Sequence, residues 1–182
     1  MHQPKVAIVF GSYRPQANGR RLVQLLEKTA KEVGCATIRV DAAEEQIPFL
    51  TDLYDKLQNP PQSLQRVQKI FSQVDGFILV TGEYNHLPQA GLLNLLNFFS
   101  KEYKGKFAAL ATYSIGAYGG LRAENGLRAM ASALGMFVLP APLTIKNIEK
   151  AVTAEGESMA QPVTTSTQKF CQNIITFHKN RK

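Results

Sequence analysis

The sequence is poor in cysteine and histidine and holds no long apolar run. Its two cysteines, Cys35 and Cys171, stand far apart and form no CxxC pair. A disulfide framework is therefore not expected, and a reducing cytoplasm is the default compartment. Three scattered histidines (His2, His86, His178) without paired cysteines argue against a metal centre. No apolar stretch approaches the roughly 20 residues of a membrane span, so no membrane partner is expected. The start, Met1-His2-Gln3-Pro4-Lys5, leads straight into a strand-like run, and no signal peptide is expected. A Rossmann fingerprint is also missing, because Gly11 and Gly19 are too far apart for GxGxxG.

Acidic residues are the scarcer charge, 14 against 21 basic ones, for a net charge of +7. The basic residues are spread along the chain except for the tail His178-Lys179-Asn180-Arg181-Lys182. Such a tail suits a solvated helix end beside a C-terminal dipole. No helix-turn-helix, RRM or zinc-finger pattern accompanies it, so no nucleic-acid partner is expected. The charge reads as a mild attraction for anionic cofactors. With 182 residues the chain fits one domain, 1–182, large enough for a proper core.

What is present is an alternation of strand-like and helical patterns. Strands are expected at Lys5–Phe10, Ala36–Asp41, Gly76–Thr81, Lys106–Thr112 and Met136–Leu139. Between them, Leu22, Leu25, Leu26 and Ala30 share one helical face before Gly34. Leu64, Val67, Ile70, Phe71 and Val74 do so after Pro60-Pro61. A third helix starts near Pro88, a fourth runs from about Leu121 to Leu134, and a last one covers roughly Val163 to His178. A loop fills roughly Glu44 to Pro61. Five strands alternating with five helices specify an α/β three-layer sandwich with a parallel sheet. In the flavodoxin-like strand order 2-1-3-4-5 the ligand crevice lies at the carboxyl ends of strands one and three.

Three loops meet there. The first strand ends in Gly11-Ser12-Tyr13-Arg14-Pro15-Gln16-Ala17-Asn18-Gly19 and a helix follows. Gly11 permits a tight turn, Ser12 and Asn18 offer side-chain donors, and Arg14 offers a forked cation. The helix dipole and its first free N–H groups favour an anion in the same place, which suits a phosphate. The third strand leads into Gly82-Glu83-Tyr84-Asn85-His86-Leu87-Pro88-Gln89. An aromatic platform beside amides suits a flat heteroaromatic ring, although Tyr84 could also cap the sheet and His86 could be a plain surface residue. The fourth strand leads into Ser114-Ile115-Gly116-Ala117-Tyr118-Gly119-Gly120, whose glycines let backbone lie close to a ligand and whose Ser114 can donate to a carbonyl.

In these three segments, and in its order of strands and helices, the chain resembles the NADPH-dependent FMN reductases. That flavodoxin-like family includes azo-dye, quinone and chromate reductases. The resemblance implies that Ser12, Arg14, Asn18 and Gly19 hold the FMN phosphate. It places Glu83, Tyr84 and Asn85, with His86 beside them, along the flavin ring. Ser114, Gly116 and Gly119 would contact the ring's far edge. Departures are Gly82 and Gln89-Ala90, where relatives often carry Pro and Pro-Gly, Leu87 for Ser, and Ala17 for a hydroxyl.

The resemblance further implies an NADPH-dependent enzyme. Hydride would pass through bound FMN to a small acceptor (quinone, azo compound, free flavin or metal oxyanion) by a ping-pong mechanism. No catalytic side chain is then required. NADPH as co-substrate comes from the resemblance alone. Arg20 and Arg122 could meet its 2′-phosphate, but the solvated reading of both is favoured. Rival readings are a flavin-binding electron carrier, against which the positive charge argues, and a family member that acts through protein interaction. Leu92, Leu93, Leu95, Leu96, Phe98 and Phe99 exceed one buried stripe, so a homodimer or homotetramer is expected through the third helix.

Overall fold

The computed structural model describes residues 3–181. Met1, His2 and Lys182, the ends of the N-terminal lead and of the basic tail, lie outside them. Strands β1 (Lys5–Phe10), β2 (Ala36–Asp41), β3 (Gly76–Tyr84) and β5 (Phe107–Tyr113) form the body of the sheet, with β4 (Leu87–Pro88), β6 (Phe137–Val138) and β7 (Leu143–Ile145) short. The order is β2-β1-β3-β5-β6, with β7 also beside β5. Every pairing is parallel except β3 with β4. This is the expected flavodoxin-like arrangement of five strand positions.

The fifth position differs from the expected single strand. β6 pairs with Phe107 and Ala108, whereas β7 takes over beside Ala111 to Tyr113. Pro140 and Pro142 stand between them. A proline supplies no ladder N–H, so the edge breaks there and resumes after the second ring.

Among the described residues six α-helices pack on the sheet: α1 (Gly19–Glu32), α2 (Gln62–Gln73), α3 (Ala90–Asn97), α4 (Leu121–Ala133), the short α5 (Ile148–Ala151) and α6 (Gln161–Asn180). α5 is additional to the five expected helices. Successive strand residues point to opposite faces, and the burial follows that rule. Val6, Ile8 and Phe10 join Leu22, Leu26 and Ile174 in the core under α1 and α6. Ala7 and Val9 join Leu64, Phe71, Leu95 and Leu127 in the core under α2, α3 and α4. β3 is apolar on both faces, and Phe77, Ile78, Leu79 and Val80 are fully buried, as a central parallel strand requires. The expected loop over 44–61 carries only a short 3-10 turn at Tyr54–Lys56.

The apolar surplus of α3 has an internal destination. Leu92, Leu95, Leu96, Phe98 and Phe99 are all buried in their own chain, and only Leu93 is half-buried. Phe98 and Phe99 leave the helix and turn into the core, where Phe99 meets the edge of Phe71. The third helix therefore gives no surplus for a partner. Among the described residues no helix is long and apolar enough to cross a membrane.

Candidate functional site

The carboxyl ends of β1, β3 and β5 bring the three loops together. The first loop sits tightly on α3. A Cβ on Gly11 would come within 2.0 Å of the Leu92 backbone nitrogen, so nothing larger than hydrogen fits. Gly19 is held as closely: a Cβ there would lie 2.3 Å from the Phe10 ring and 2.5 Å from the Tyr113 hydroxyl. Both glycines are explained by packing before any ligand is considered.

Arg20 fastens this loop from behind. Its Nε donates to Asp41 Oδ2 at 2.9 Å, and the Asp41 side chain is 1% exposed. Its Nη1 donates to the carbonyls of Arg14 (2.9 Å) and Pro15 (3.1 Å), and its Nη2 to that of Ser12 (3.4 Å). Three carbonyl oxygens that would repel an anion are thereby tied to a cation. Arg20 is committed to the loop and is neither a solvated helix-start residue nor free for a 2′-phosphate.

Arg14 is the opposite case. Among the described residues its guanidinium has no carboxylate or carbonyl partner; it rests over the Tyr84 ring, 4.4 Å from the centroid. Ser12 is buried, its Oγ accepting the Arg14 backbone N–H at 3.4 Å and lying 3.5 Å from the Tyr84 hydroxyl. Asn18 donates from Nδ2 to Glu149 Oε1 at 2.9 Å, so an acidic side chain from α5 reaches the same loop.

The second loop is a hairpin, which periodicity alone did not suggest. Glu83 pairs with Pro88 and Tyr84 with Leu87, leaving Asn85 and His86 as the two turn residues. Both have positive φ, 51° and 70°, the conformation that a two-residue hairpin turn demands and that asparagine tolerates best after glycine. Asn85 is thus accounted for by backbone geometry. Glu83 accepts the Arg122 backbone N–H on Oε2 at 3.2 Å, and Arg122 Nη1 lies 3.2 Å from His86 Nε2.

In the third loop Ser114 Oγ donates to the Gly116 carbonyl (3.0 Å) and accepts the Gly119 N–H (2.9 Å). The hydroxyl shapes its own loop, whereas the sequence suggested an outward donor. Gly119 and Gly120 have φ of 62° and 80°. A Cβ at Gly116 would meet nothing closer than Ser114 Oγ at 4.0 Å, so the fold itself does not require glycine there.

Two cavities open between these loops. The smaller, about 200 Å³, touches Arg14, Asn18, Glu83, Tyr84, Tyr113 and Ser114. The larger, about 740 Å³, runs between the first loop, residues 47–49 and the start of α3. Arg14 and Tyr84 are the two residues that line both. Ser12 lies on the larger cavity, while Gly19, Asn85, His86, Gly116 and Gly119 line neither. Below them, Gln89 Nε2 donates to the Tyr113 hydroxyl at 3.1 Å. Burial pushes the Tyr113 phenol up to about 12, with the Gln89 hydrogen bond opposing, so the phenol stays protonated at neutral pH. A Cβ on Gly82 would approach the Tyr113 ring to 2.9 Å. Gly82 and Gln89, two departures from the resemblance, thus accommodate one tyrosine. Sequence reasoning missed Gln89, Tyr113, Glu149 and the clamping role of Arg20; only Asp41 at the end of β2 hinted at a partner for that arginine.

The donor set fits a phosphomonoester. An uncommitted guanidinium, a buried serine and an amide stand on a loop whose carbonyls are tied away, at the start of a 14-residue helix. A 2-hydroxy-1,4-benzoquinone reductase from Burkholderia sp is 24% identical over 185 residues, 98% of each chain. A quinone reductase of Escherichia coli (strain K12) is 28% identical over 149 residues, 76% of this chain and 74% of that one. In fold the chain is similar to the flavoenzyme NAD(P)H:(acceptor) oxidoreductase FerB from Paracoccus denitrificans, with a TM-score of 0.83, 21% identity and coverage of 97% and 98%. The family model for NADPH-dependent FMN reductase matches residues 4–150, which include all three loops. The chain belongs to the NADPH-dependent FMN reductase family, an oxidoreductase whose cofactor is FMN and whose reductant is NAD(P)H.

Proposed function

We propose that the protein reduces quinones by two electrons at the expense of NADPH, in a ping-pong sequence. In sum, NADPH, a proton and a quinone give NADP⁺ and a hydroquinone. FMN, when bound, supplies the relay that takes hydride from one partner and passes it to the next. The observation that carries this reading is Arg14, a cation that among the described residues has no carboxylate partner, on a loop that Arg20 has fastened. The similarity to quinone reductases supports the acceptor class.

In this reading Ser12, Arg14, Asn18 and Gly19 hold the phosphate. Glu83, Tyr84, Asn85 and His86 flank the ring, and Ser114, Gly116 and Gly119 close its far edge. Asn85 and the backbone amides after Glu83 would stabilise negative charge on the reduced pyrimidine. Arg122, half exposed and 3.8 Å from Glu83, is the cation this reading assigns to a 2′-phosphate. Leu87, Ile115, Tyr118 and Leu121, on the second and third loops and at the start of α4, are exposed, and a second copy covering them would complete a homodimer. Buried thiols at Cys35 and Cys171 suit the cytoplasm. Initial rates with varied NADPH and quinone test the reading: parallel reciprocal plots are expected, and intersecting plots would overturn the ping-pong order.

A further inference from the structure

Another cavity, of about 300 Å³, opens at the other end of the sheet, away from the three loops. It is lined by Val74 and Asp75 before β3, Gly105 and Lys106 before β5, and His178 and Arg181 at the close of α6. Three segments distant in sequence converge there, and two of them bring a permanent cation. Part of the basic tail has left solvent in the process, since His178 is buried.

Both cations are fixed by groups without net charge. Lys106 Nζ donates to the Phe71 and Ser72 carbonyls in the last turn of α2, the second at 3.1 Å. Arg181 Nη2 donates to the Gly105 carbonyl, and its guanidinium lies over the rings of Phe137 (5.0 Å) and Phe177 (5.7 Å). Arg20, Arg39, Arg66, Arg122 and Arg128 each stand within 4.0 Å of a carboxylate. Among the described residues Arg181 and Lys106 do not.

Asp75 is the acid in this lining, and its Oδ2 accepts the Lys5 backbone N–H at 2.8 Å. Burial nevertheless pushes the Lys106 ammonium below its usual range, with Glu102 and Asp75 opposing. The nearby carboxylates thus leave its desolvation only partly offset, and a bound anion would make up the difference.

We propose that this cavity binds a phosphate group, as inorganic phosphate or a small phosphomonoester, between Arg181 and Lys106. A planar guanidinium fork beside an ammonium matches a dianion with several acceptor oxygens. The inference goes beyond the reductase reading and does not rest on it, because none of these residues lines either cavity at the carboxyl ends.

The test uses FMN-loaded protein, so that the cofactor competes for the first loop. Inorganic phosphate, ribose 5-phosphate and acetate are titrated calorimetrically at fixed ionic strength. One site for the phosphates is expected, with acetate at least about tenfold weaker. Arg181→Gln, at an exposed side chain, should weaken phosphate about tenfold, the scale of one charge-assisted hydrogen bond. Lys169→Gln removes the same charge from an exposed position about 18 Å back along α6 and should leave binding unchanged. Tighter binding of the ester names a phosphomonoester as the occupant, and the reverse order names free phosphate. No phosphate binding by the wild type, equal binding of acetate, or equal effects of the two variants would each overturn the proposal. If no FMN is retained the reductase reading fails, while the contrast between Arg181→Gln and Lys169→Gln still decides this site.

Discussion

The guanidinium of Arg14 stacks over the ring of Tyr84 at 4.4 Å, and the hydroxyl of that ring lies 3.5 Å from Ser12. A residue from the first loop and one from the β3 hairpin are therefore joined before any ligand arrives. A cation–π contact at an exposed site is worth about 0.5–1 kcal/mol. A charge-assisted bond to phosphate is worth roughly 1.5–3 kcal/mol, so the phosphate wins the arginine. Arg14→Ala is expected to weaken FMN binding about ten- to a hundredfold and riboflavin binding far less. Flavin fluorescence titration with both ligands checks this.

In the proposed reading Glu149 opposes the same phosphate. Its carboxylate accepts from Asn18 on the loop, so a phosphate held by Asn18 would meet a negative neighbour whose repulsion salt screens. Glu149→Gln keeps the hydrogen bond and removes the charge. FMN should bind about three- to tenfold more tightly, with riboflavin unchanged and the gain shrinking as salt is raised. An equal gain for both flavins would count against a phosphate near Asn18.

The hairpin makes a stability prediction that does not involve FMN. Asn85 has φ of 51° at the first turn position. A branched residue there costs about 1–2 kcal/mol, while glycine fits freely. Asn85→Val should lower the melting temperature and Asn85→Gly should not, by calorimetry.

Much of the frame was legible in the sequence because a parallel sheet buried on both faces writes itself as continuous apolar runs. Val6 to Phe10 and Phe77 to Val80 are such runs, and their loops had to meet at one end. Three features were not legible. The Asn85–His86 turn lacks the glycine that usually marks one. The short strand Leu87–Pro88 is too brief to show a period. The role of Arg20 depends on Asp41, brought beside it only by the pairing of β2 with β1. The dimer argument from α3 failed for a related reason. A helical wheel assumes that the helix continues, whereas α3 ends at Asn97 and Phe98 and Phe99 fold back inward.

Burial pushes the thiols of Cys35 and Cys171 up to about 12, against about 8.5 for a free cysteine. The folded state thus holds these protons after the unfolded chain has lost them. Their contribution to stability is full below about pH 8.5 and falls as pH rises through about 12. Melting temperature should decline over that alkaline window, less steeply in Cys171→Ala. At neutral pH a thiol reagent should react slowly with the folded protein and rapidly with both cysteines after denaturation.

The most direct test of the central claim is anaerobic. Protein is loaded with FMN, stripped of free flavin and mixed with NADPH while the flavin absorbance is followed. The account predicts retained flavin that bleaches in a single two-electron phase and recovers when a quinone is added. Flavin that NADPH does not bleach, or that halts in a one-electron form, would contradict it.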